Sequence, residues 1–140
     1  PYALCAGVHG RDYATLLRAV AGLPVAVRIA APAGALAGLT VPPNVTLLPP
    51  LAREGYRRQL AAATCLVLSL EPGLLRSTGV VTYVEALRMG KCVVLNEPEG
   101  AASYVTDGVT GHLVPPRDPD ALRERLARVF ADPAAAAAVG

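Results

Sequence analysis

The chain has 140 residues, of which 53% are hydrophobic and 17% are charged, and its formal net charge is +2. This length and composition predict one compact domain with a substantial apolar core. The positive charges are spread along the sequence rather than gathered in runs, which argues against a nucleic-acid-binding stripe or a polybasic membrane patch. No apolar run approaches the roughly eighteen residues that a membrane span needs.

The cysteines and the first residues both favour a cytoplasmic protein. Cys5, Cys65 and Cys92 each fall in an apolar run and form no Cys-x-x-Cys pair, so we expect buried, reduced thiols. With only two histidines in the chain, we expect no metal site. Pro1 and Tyr2 lead directly into a strand-like segment without the features of a signal peptide, and this start resembles a cut within a longer chain.

Strand-like apolar runs alternate with helical patterns along the first half of the chain. The predicted elements are, in order, a strand over 2–6, a helix over 12–21, a strand over 25–30, a strand over 45–48 and a helix near 54–62. Between the second and third strands, residues 31–43 are rich in proline and glycine, which predicts a loop or a broken short helix.

The same alternation continues in the second half. The predicted elements are a strand over 65–69, a loop over 70–78, a helix over 79–89, a strand over 92–95, a short helix near 101–106 and a strand over 111–114. Asp118 is predicted to cap a last helix with Pro119 in its first turn. Unbroken apolar strands between helices predict a mostly parallel sheet covered on both faces, which is a doubly wound α/β fold.

Ligands of such sheets bind at the carboxyl ends of the strands. The loops expected to cluster there are 9–11, 48–51, 70–79 and 96–102. In the third of these, Gly79 opens a helix whose first backbone amides and dipole favour a phosphate. Glu85 follows Gly79 by six residues, about two helical turns. The spacing therefore predicts that a phosphate and sugar hydroxyls can be held together.

Several segments, taken in order and at their spacing, resemble a known family. They are GVHGRDYATLLRA at 7–19, EAL at 85–87, GKCVV at 90–94, DGVTGHLVPP at 107–116 and DPDAL at 118–122. The pattern is similar to the C-terminal, donor-binding half of retaining GT-B glycosyltransferases of the group 1 class, and it covers nearly the whole chain. The resemblance implies one of two Rossmann-like domains that share an active site between them, with residues 1–140 forming the nucleotide-sugar-binding domain.

The resemblance also implies roles for single residues. Glu85 matches the second glutamate of the family's E-x7-E signature, which accepts hydrogen bonds from the ribose hydroxyls of the nucleotide. Gly79, Val80 and Val81 match the turn whose backbone amides meet the distal phosphate. Arg11 stands where the family usually has a lysine. It is the candidate catalytic residue, because a guanidinium can grip the diphosphate and stabilise charge on the departing nucleotide.

Two positions depart from the family's pattern. Ser77, which we retain among the candidate binding residues, occupies the place of the signature's first glutamate, and this weakens the case for a carboxylate contact to the donor sugar. Glu71 could replace that contact only if its loop folds inward. Val8 stands where an arginine commonly follows the first strand.

Each assignment has an alternative. Glu85 could pair with Arg88 on a solvated helix face, as many helical glutamates do. Arg11 could be a solvated residue at a helix start, although a cation is mildly unfavourable there. His9 could contact phosphate or acceptor, or have no role, and His112 is expected to be structural.

We therefore expect a domain that binds a nucleotide-diphosphate sugar for a retaining transfer of a hexose-type sugar, without a metal or other cofactor. The alternative function is a non-catalytic nucleotide-binding or interaction module, which Ser77 favours. No G-x-G-x-x-G follows the first strand, which argues against a dehydrogenase. Cys5, Ala6 and Gly7 stand where a phospho-receiver would gather acidic residues, which excludes that class more firmly.

The expected partners are a nucleotide sugar, an acceptor of open identity and an N-terminal acceptor domain that is absent from this chain. Nucleic acid is not expected, and membrane association is expected only at the periphery and through the full-length protein. The 140 residues alone are expected to fold and to bind a nucleoside diphosphate weakly, but not to transfer sugar.

Overall fold

The computed structural model describes residues 1–73, 78–96 and 101–140. The strands in these ranges are β1 (Tyr2–Ala6), β2 (Ala26–Ala30), β3 (Val45–Leu48), β4 (Cys65–Leu68), β5 (Cys92–Asn96) and β6 (His112–Val114). The α-helices are α1 (Tyr13–Val20), α2 (Arg53–Ala62), α3 (Val80–Arg88), α4 (Pro119–Ala131) and α5 (Pro133–Ala137), with 3₁₀ turns at Ala33–Leu36 and Ala101–Ser103. Among the described helices, none combines the length and the apolar character needed to cross a bilayer.

The strands form one sheet in the order β3-β2-β1-β4-β5-β6, and every neighbouring pair is parallel. This arrangement confirms the predicted doubly wound, Rossmann-like α/β fold. The strand order reverses between β1 and β4, which pair at Ala3 with Cys65 and at Leu4 with Leu66. Since a ligand crevice forms where the order reverses, the loops after β1 and β4 flank the expected binding site.

The core lies on both faces of the sheet. Every residue of β1, β4 and β5 is buried, because helices cover the central strands on either side. Helix α1 buries Leu16, Leu17 and Val20, and helix α4 buries an equivalent stripe at helical spacing, namely Leu122, Leu126 and Val129.

The helix starts follow from their capping residues. The Asp12 side chain accepts a hydrogen bond from the Thr15 backbone N–H over 2.9 Å, so Asp12 precedes the helix that it was predicted to begin. The predicted cap at Asp118 is confirmed, since its carboxylate accepts from Ala121 N over 2.9 Å. Two details differ from the sequence prediction: the short helix near 101–106 is a three-residue 3₁₀ turn, and α5, capped by Asp132, was not predicted.

The three cysteines are buried and unpaired. Burial raises the pKa of the Cys5 thiol to about 12 and that of Cys92 to about 11, and it raises the pKa of Cys65 as well. These thiols are therefore protonated at neutral pH and act as small apolar core groups. Within the described ranges, no group of three or more His, Cys, Asp and Glu side chains is placed to hold a metal ion.

The start of β6 leaves no room for a side chain at Gly111. A Cβ atom there would lie 2.5 Å from Val93 Cγ2 and 2.8 Å from Val105 Cγ1. We expect Gly111→Ala to lower the free energy of unfolding by about 1–3 kcal/mol, the cost of overpacking a core. Gly34→Ala is the matched control, because a Cβ at Gly34 meets no atom within 4 Å. Denaturant titration measures both variants, and equal stabilities would contradict the packing described here.

Candidate functional site

Backbone hydrogen bonds join the loops after β1 and β4. Asp12 N donates to Ser69 O over 2.9 Å, and Glu71 N donates to Gly10 O over 2.9 Å. Between them, Arg11 and Leu70 form an antiparallel bridge. The loop that carries Arg11 is thus fixed to the loop that leads from β4 toward α3.

A buried amide at the end of β5 holds the same loop from the other side. Asn96 is 2% exposed, its Oδ1 accepts from Leu70 N and its Nδ2 donates to Leu70 O, both over 2.5 Å. Without this amide, two backbone groups of the buried Leu70 would lose their partners, which is costly in an interior. Sequence reasoning placed Asn96 in a ligand loop but gave it no role. Asn96 thus holds the loop at Leu70, four residues before the stretch 74–77, which lies outside the described residues.

The Arg11 side chain is held by three oxygen atoms. Its Nε donates to Ala6 O over 3.0 Å, its Nη1 to His9 O over 3.0 Å, and its Nη2 to Thr82 Oγ1 over 3.4 Å. Three of the five N–H groups of a guanidinium are thereby engaged, and within 1–73, 78–96 and 101–140 no partner is found for the other two. The charge of Arg11 is therefore already in place before any ligand arrives.

Two glycines make the space that this guanidinium occupies. A Cβ at Gly7 would lie 2.7 Å from Arg11 Cζ, and a Cβ at Gly79 would lie 3.2 Å from Arg11 Nη1. Both glycines have positive φ angles, +120° and +83°, which side chains disfavour. The structure therefore brings the predicted residues Arg11, Gly79 and Val80 together at the N-terminus of α3.

This arrangement favours an anion on electrostatic grounds. Gly79 is the N-cap of α3, so no N-cap side chain occupies the amides of the first turn. A helix N-terminus carries a partial positive charge, and Arg11 adds a full one beside it. The positive end of the helix and the Arg11 guanidinium repel each other, whereas a phosphate placed between them would be stabilised by both.

An open cleft of about 560 Å³ lies beside Arg11. Its walls are mostly apolar and come from the ends of β1 and β2, the β3–α2 loop, α2 and α3. They are lined by Ala6, Gly7, Val8, Ala30, Pro50, Leu51, Arg53, Tyr56, Val81, Thr82 and Glu85. Val81, one of the predicted residues, is 81% exposed here. The size is within the range of small-molecule sites, and the apolar walls suit a ring system.

Glu85 is held by two arginines of α2. Its Oε1 accepts from Arg57 Nε over 2.5 Å and lies 3.4 Å from Arg53 Nε. The Glu85 side chain is 14% exposed, and the hydrogen bond from Arg57 is the main cause that holds the pKa of this carboxyl below its usual range. Among the described residues, the ion-pair partners of Glu85 are these two arginines, so the alternative pairing with Arg88 on the same helix is not found.

Sequence reasoning missed Arg53 and Arg57. Their i, i+4 spacing places them on one face of α2. Tyr56, between them in sequence, donates its hydroxyl to Thr82 O over 2.7 Å and thereby fixes α2 against α3. The i, i+4 spacing of the two arginines can be read from the sequence, whereas the packing of α2 on α3 cannot.

Four other residues were considered from the sequence, namely Ser77, Glu71, His9 and His112. Ser77 lies outside the described residues. Glu71 does not turn inward, because its carboxylate pairs with Arg117 at the surface over 3.4 Å. His9 is exposed and contributes its carbonyl to Arg11, and His112 is partly buried beside Arg125, with a pKa lowered first by burial.

The lowered pKa of Glu85 predicts a pH-dependent stability. The ionised form is favoured in the folded state, so its contribution is present above the unfolded pKa of about 4.3 and is lost as pH falls through the folded value. We expect wild type to exceed Glu85→Gln in free energy of unfolding at pH 7, with the gap closing below about pH 4. Glu54→Gln, which removes an exposed pair with Arg58, is the control and should show little gap. Denaturant titrations from pH 7 to pH 3 measure this, and a constant gap for Glu85→Gln would contradict it.

The chain is similar to known proteins in both sequence and structure. Residues 13–132 match the family of glycosyl transferases group 1. D-inositol 3-phosphate glycosyltransferase of Mycolicibacterium gilvum is 35% identical over 129 residues, which are 83% of this chain and 28% of that protein. The chain thus spans less than a third of this curated relative.

Solved structures share the fold. HepE of Anabaena, in complex with UDP and glucose, superposes with a TM-score of 0.80 at 21% identity, over 99% of this chain and 41% of that one. Sucrose-phosphate synthase of Thermosynechococcus elongatus superposes with a TM-score of 0.79 at 22% identity, over 99% of this chain and 38% of that one. The catalytic domain of cholesterol-α-glucosyltransferase from Helicobacter pylori superposes with a TM-score of 0.71 at 14% identity, over 94% of this chain and 87% of that one.

The family match covers most of the chain, and the sheet order agrees with that of a Rossmann-like domain. The chain therefore belongs to the group 1 family of glycosyltransferases and forms a C-terminal GT-B domain.

Proposed function

We propose that residues 1–140 are the donor-binding domain of an enzyme that transfers a hexose-type sugar from a nucleotide-diphosphate sugar with retention of configuration. One observation carries the proposal: Arg11 lies at the N-terminus of α3, hydrogen-bonded to Ala6 and Thr82 of the cleft wall, while Glu85 lies further along the same helix on that wall. A nucleoside diphosphate carries phosphate and ribose hydroxyls in one molecule, so it could meet both residues. HepE, which has this fold, was solved with UDP and glucose.

The diphosphate would bind at the N-terminus of α3. In the described part of the chain two N–H groups of Arg11 have no partner and could meet phosphate oxygens, and the backbone amides of Val80 and Val81 have no partner within the helix. When the bond between the sugar and the diphosphate breaks, negative charge grows on the leaving nucleotide. A guanidinium already fixed by backbone carbonyls stabilises that charge without rearranging, which is the most effective form of electrostatic catalysis. We propose that this is done without a metal.

The nucleoside would occupy the cleft. Glu85 would accept hydrogen bonds from the ribose hydroxyls, and the apolar wall at Val8, Pro50 and Leu51 would cover the base. Ser77 is retained as a candidate binding residue on its place in the family's signature alone.

The acceptor would be bound by a second, N-terminal domain. The chain covers 28% of the curated relative and 41% of HepE, so much of each relative lies outside the matched region. We propose that the 140 residues alone bind the donor but do not transfer sugar. The three unpaired buried cysteines favour a reducing compartment such as the cytoplasm.

A non-catalytic nucleotide-binding module is the second candidate. Ser77 replaces a carboxylate of the family's signature, and Glu71, which could have replaced it, pairs with Arg117 instead. Turnover of a nucleotide sugar by the full-length protein distinguishes the two, because a binding module would show affinity without product.

Replacement of Glu85 tests the ribose contact. The ligand is whichever of UDP, GDP and ADP binds wild type most tightly. We expect Glu85→Gln to weaken its binding by roughly ten- to a hundredfold, because a hydrogen bond to a charged group contributes about 1.5–3 kcal/mol. Calorimetric titration of each variant gives the dissociation constants. Glu54→Gln, on an exposed part of α2, is the control. Unchanged affinity in Glu85→Gln would remove Glu85 from the site.

Replacement of Arg11 tests the diphosphate contact. Arg11→Ala should weaken a nucleoside diphosphate far more than the matching nucleoside, which has no phosphate to meet the guanidinium. The two ligands are titrated into wild type, Arg11→Ala and the control Arg58→Ala, whose side chain is 73% exposed on α2. Equal losses for both ligands would show that Arg11 supports the loop rather than the phosphate.

A further inference from the structure

The two oxygens of the Glu85 carboxylate have different surroundings. Arg57 and Arg53 both contact Oε1, over 2.5 Å and 3.4 Å. In residues 1–73, 78–96 and 101–140, no hydrogen bond reaches Oε2. A carboxylate offers acceptor sites on both oxygens, so one oxygen is committed to α2 and the other is left for a ligand.

Arg57 reaches Glu85 from outside the cleft. A second groove of about 590 Å³, the outer groove, adjoins the cleft along α3, and it is lined by Arg53, Arg57, Val80, Val81, Val84, Glu85, Arg88, Met89 and Tyr104. Arg53 and Glu85 line both the cleft and this outer groove, whereas Arg57 lines only the outer groove. Arg57 can therefore keep its contact with Glu85 while a ligand occupies the cleft.

The helix that carries Arg57 is itself fixed to the site. Tyr56 is buried, and its hydroxyl donates to the backbone carbonyl of Thr82 on α3. The hydroxyl of that same Thr82 accepts from Arg11. The position of Arg57 relative to Glu85 is thus set by the packing that also positions the Arg11 guanidinium.

Resting on the proposed function, we infer that Arg57 is a positioning residue: it holds Oε1 of Glu85 from the outer groove, so that Oε2 accepts the ribose hydroxyls of the nucleotide. Arg53 assists through its longer contact. A free glutamate on a helix surface samples several rotamers, and selecting one before binding removes part of the entropy cost of ordering it.

The charges around Glu85 predict how the effect of removing Arg57 on ribose binding depends on pH. Arg53 and Arg57 face it from α2, Tyr56 of α2 lies near it in neutral form, and Arg88 of α3 lines the same outer groove. The hydrogen bond from Arg57 is the largest of the causes that lower the pKa of Glu85. Removing Arg57 should therefore raise the pKa of Glu85, so that the carboxylate is protonated, and ribose binding lost, at a higher pH than in wild type.

The test compares Arg57→Ala and Arg57→Lys with Arg58→Ala. Arg58 is the neighbouring arginine on α2, and it pairs with Glu54 instead of Glu85. Each protein is titrated at pH 7 and pH 5 with the tightest-binding of UDP, GDP and ADP, and with the 2′,3′-dideoxy form of that nucleotide. At pH 7 we expect Arg57→Ala to weaken the ribonucleotide by about two- to fivefold, the effect of one partly exposed ion pair.

The same variant should bind the dideoxy nucleotide as wild type does, because that ligand has no hydroxyls for Glu85. The affinity that Arg57→Ala loses for the ribonucleotide should be larger at pH 5 than at pH 7. Arg57→Lys should recover part of this affinity, and Arg58→Ala should bind both nucleotides as wild type does. Unchanged binding of the dideoxy nucleotide also shows that the variant is folded.

Three other outcomes would overturn the inference. Equal losses for the two nucleotides would show that Arg57 supports the fold rather than the ribose contact. Ribose discrimination that disappears in Glu85→Gln but persists in Arg57→Ala would refute the positioning role and leave the proposed function standing. If wild type binds none of the three nucleoside diphosphates, the proposed function fails and this inference fails with it.

Discussion

Two backbone hydrogen bonds hold the site together at the point where the strand order reverses. They run from Asp12 N to Ser69 O and from Glu71 N to Gly10 O, and they lock the β1 and β4 loops side by side. Asn96 secures the same junction from β5 through both backbone groups of Leu70. Because this junction is fixed, a side chain from the first loop of the chain comes to lie at the start of α3, some seventy residues later.

The charges of the site are arranged before a ligand binds. Arg11 is held by carbonyls and a hydroxyl, and Glu85 is held by guanidinium groups, so neither charge depends on the nucleotide for its position. The cation at the N-terminus of α3 remains uncompensated by any N-cap carboxylate, since the cap is a glycine. Under the proposed function, charges held in this way would lower the reorganisation required on binding an anion and in the transition state.

Local patterns predicted the fold, and the site only in part. Continuous apolar runs and aspartate caps determine strands and helix starts within a few residues, so β3 and the cap at Asp118 were predicted as they are found. Arg57 lies 28 residues from Glu85 in sequence and Asn96 lies 26 residues from Leu70, and no local spacing specifies either pair. Helical spacing offered Arg88 as an alternative partner of Glu85, but the packing of α2 on α3 makes Arg57 the partner. The alanine-rich α5 has too little pattern of its own and depends on the cap at Asp132.

The most direct test of the account is an experimental structure of the protein with a bound nucleoside diphosphate. We expect the phosphates to lie against the Arg11 guanidinium and the first amides of α3, with the ribose hydroxyls on Oε2 of Glu85 and Arg57 still on Oε1. A nucleotide bound with its phosphates away from Arg11, or with its ribose away from Glu85, would contradict the account.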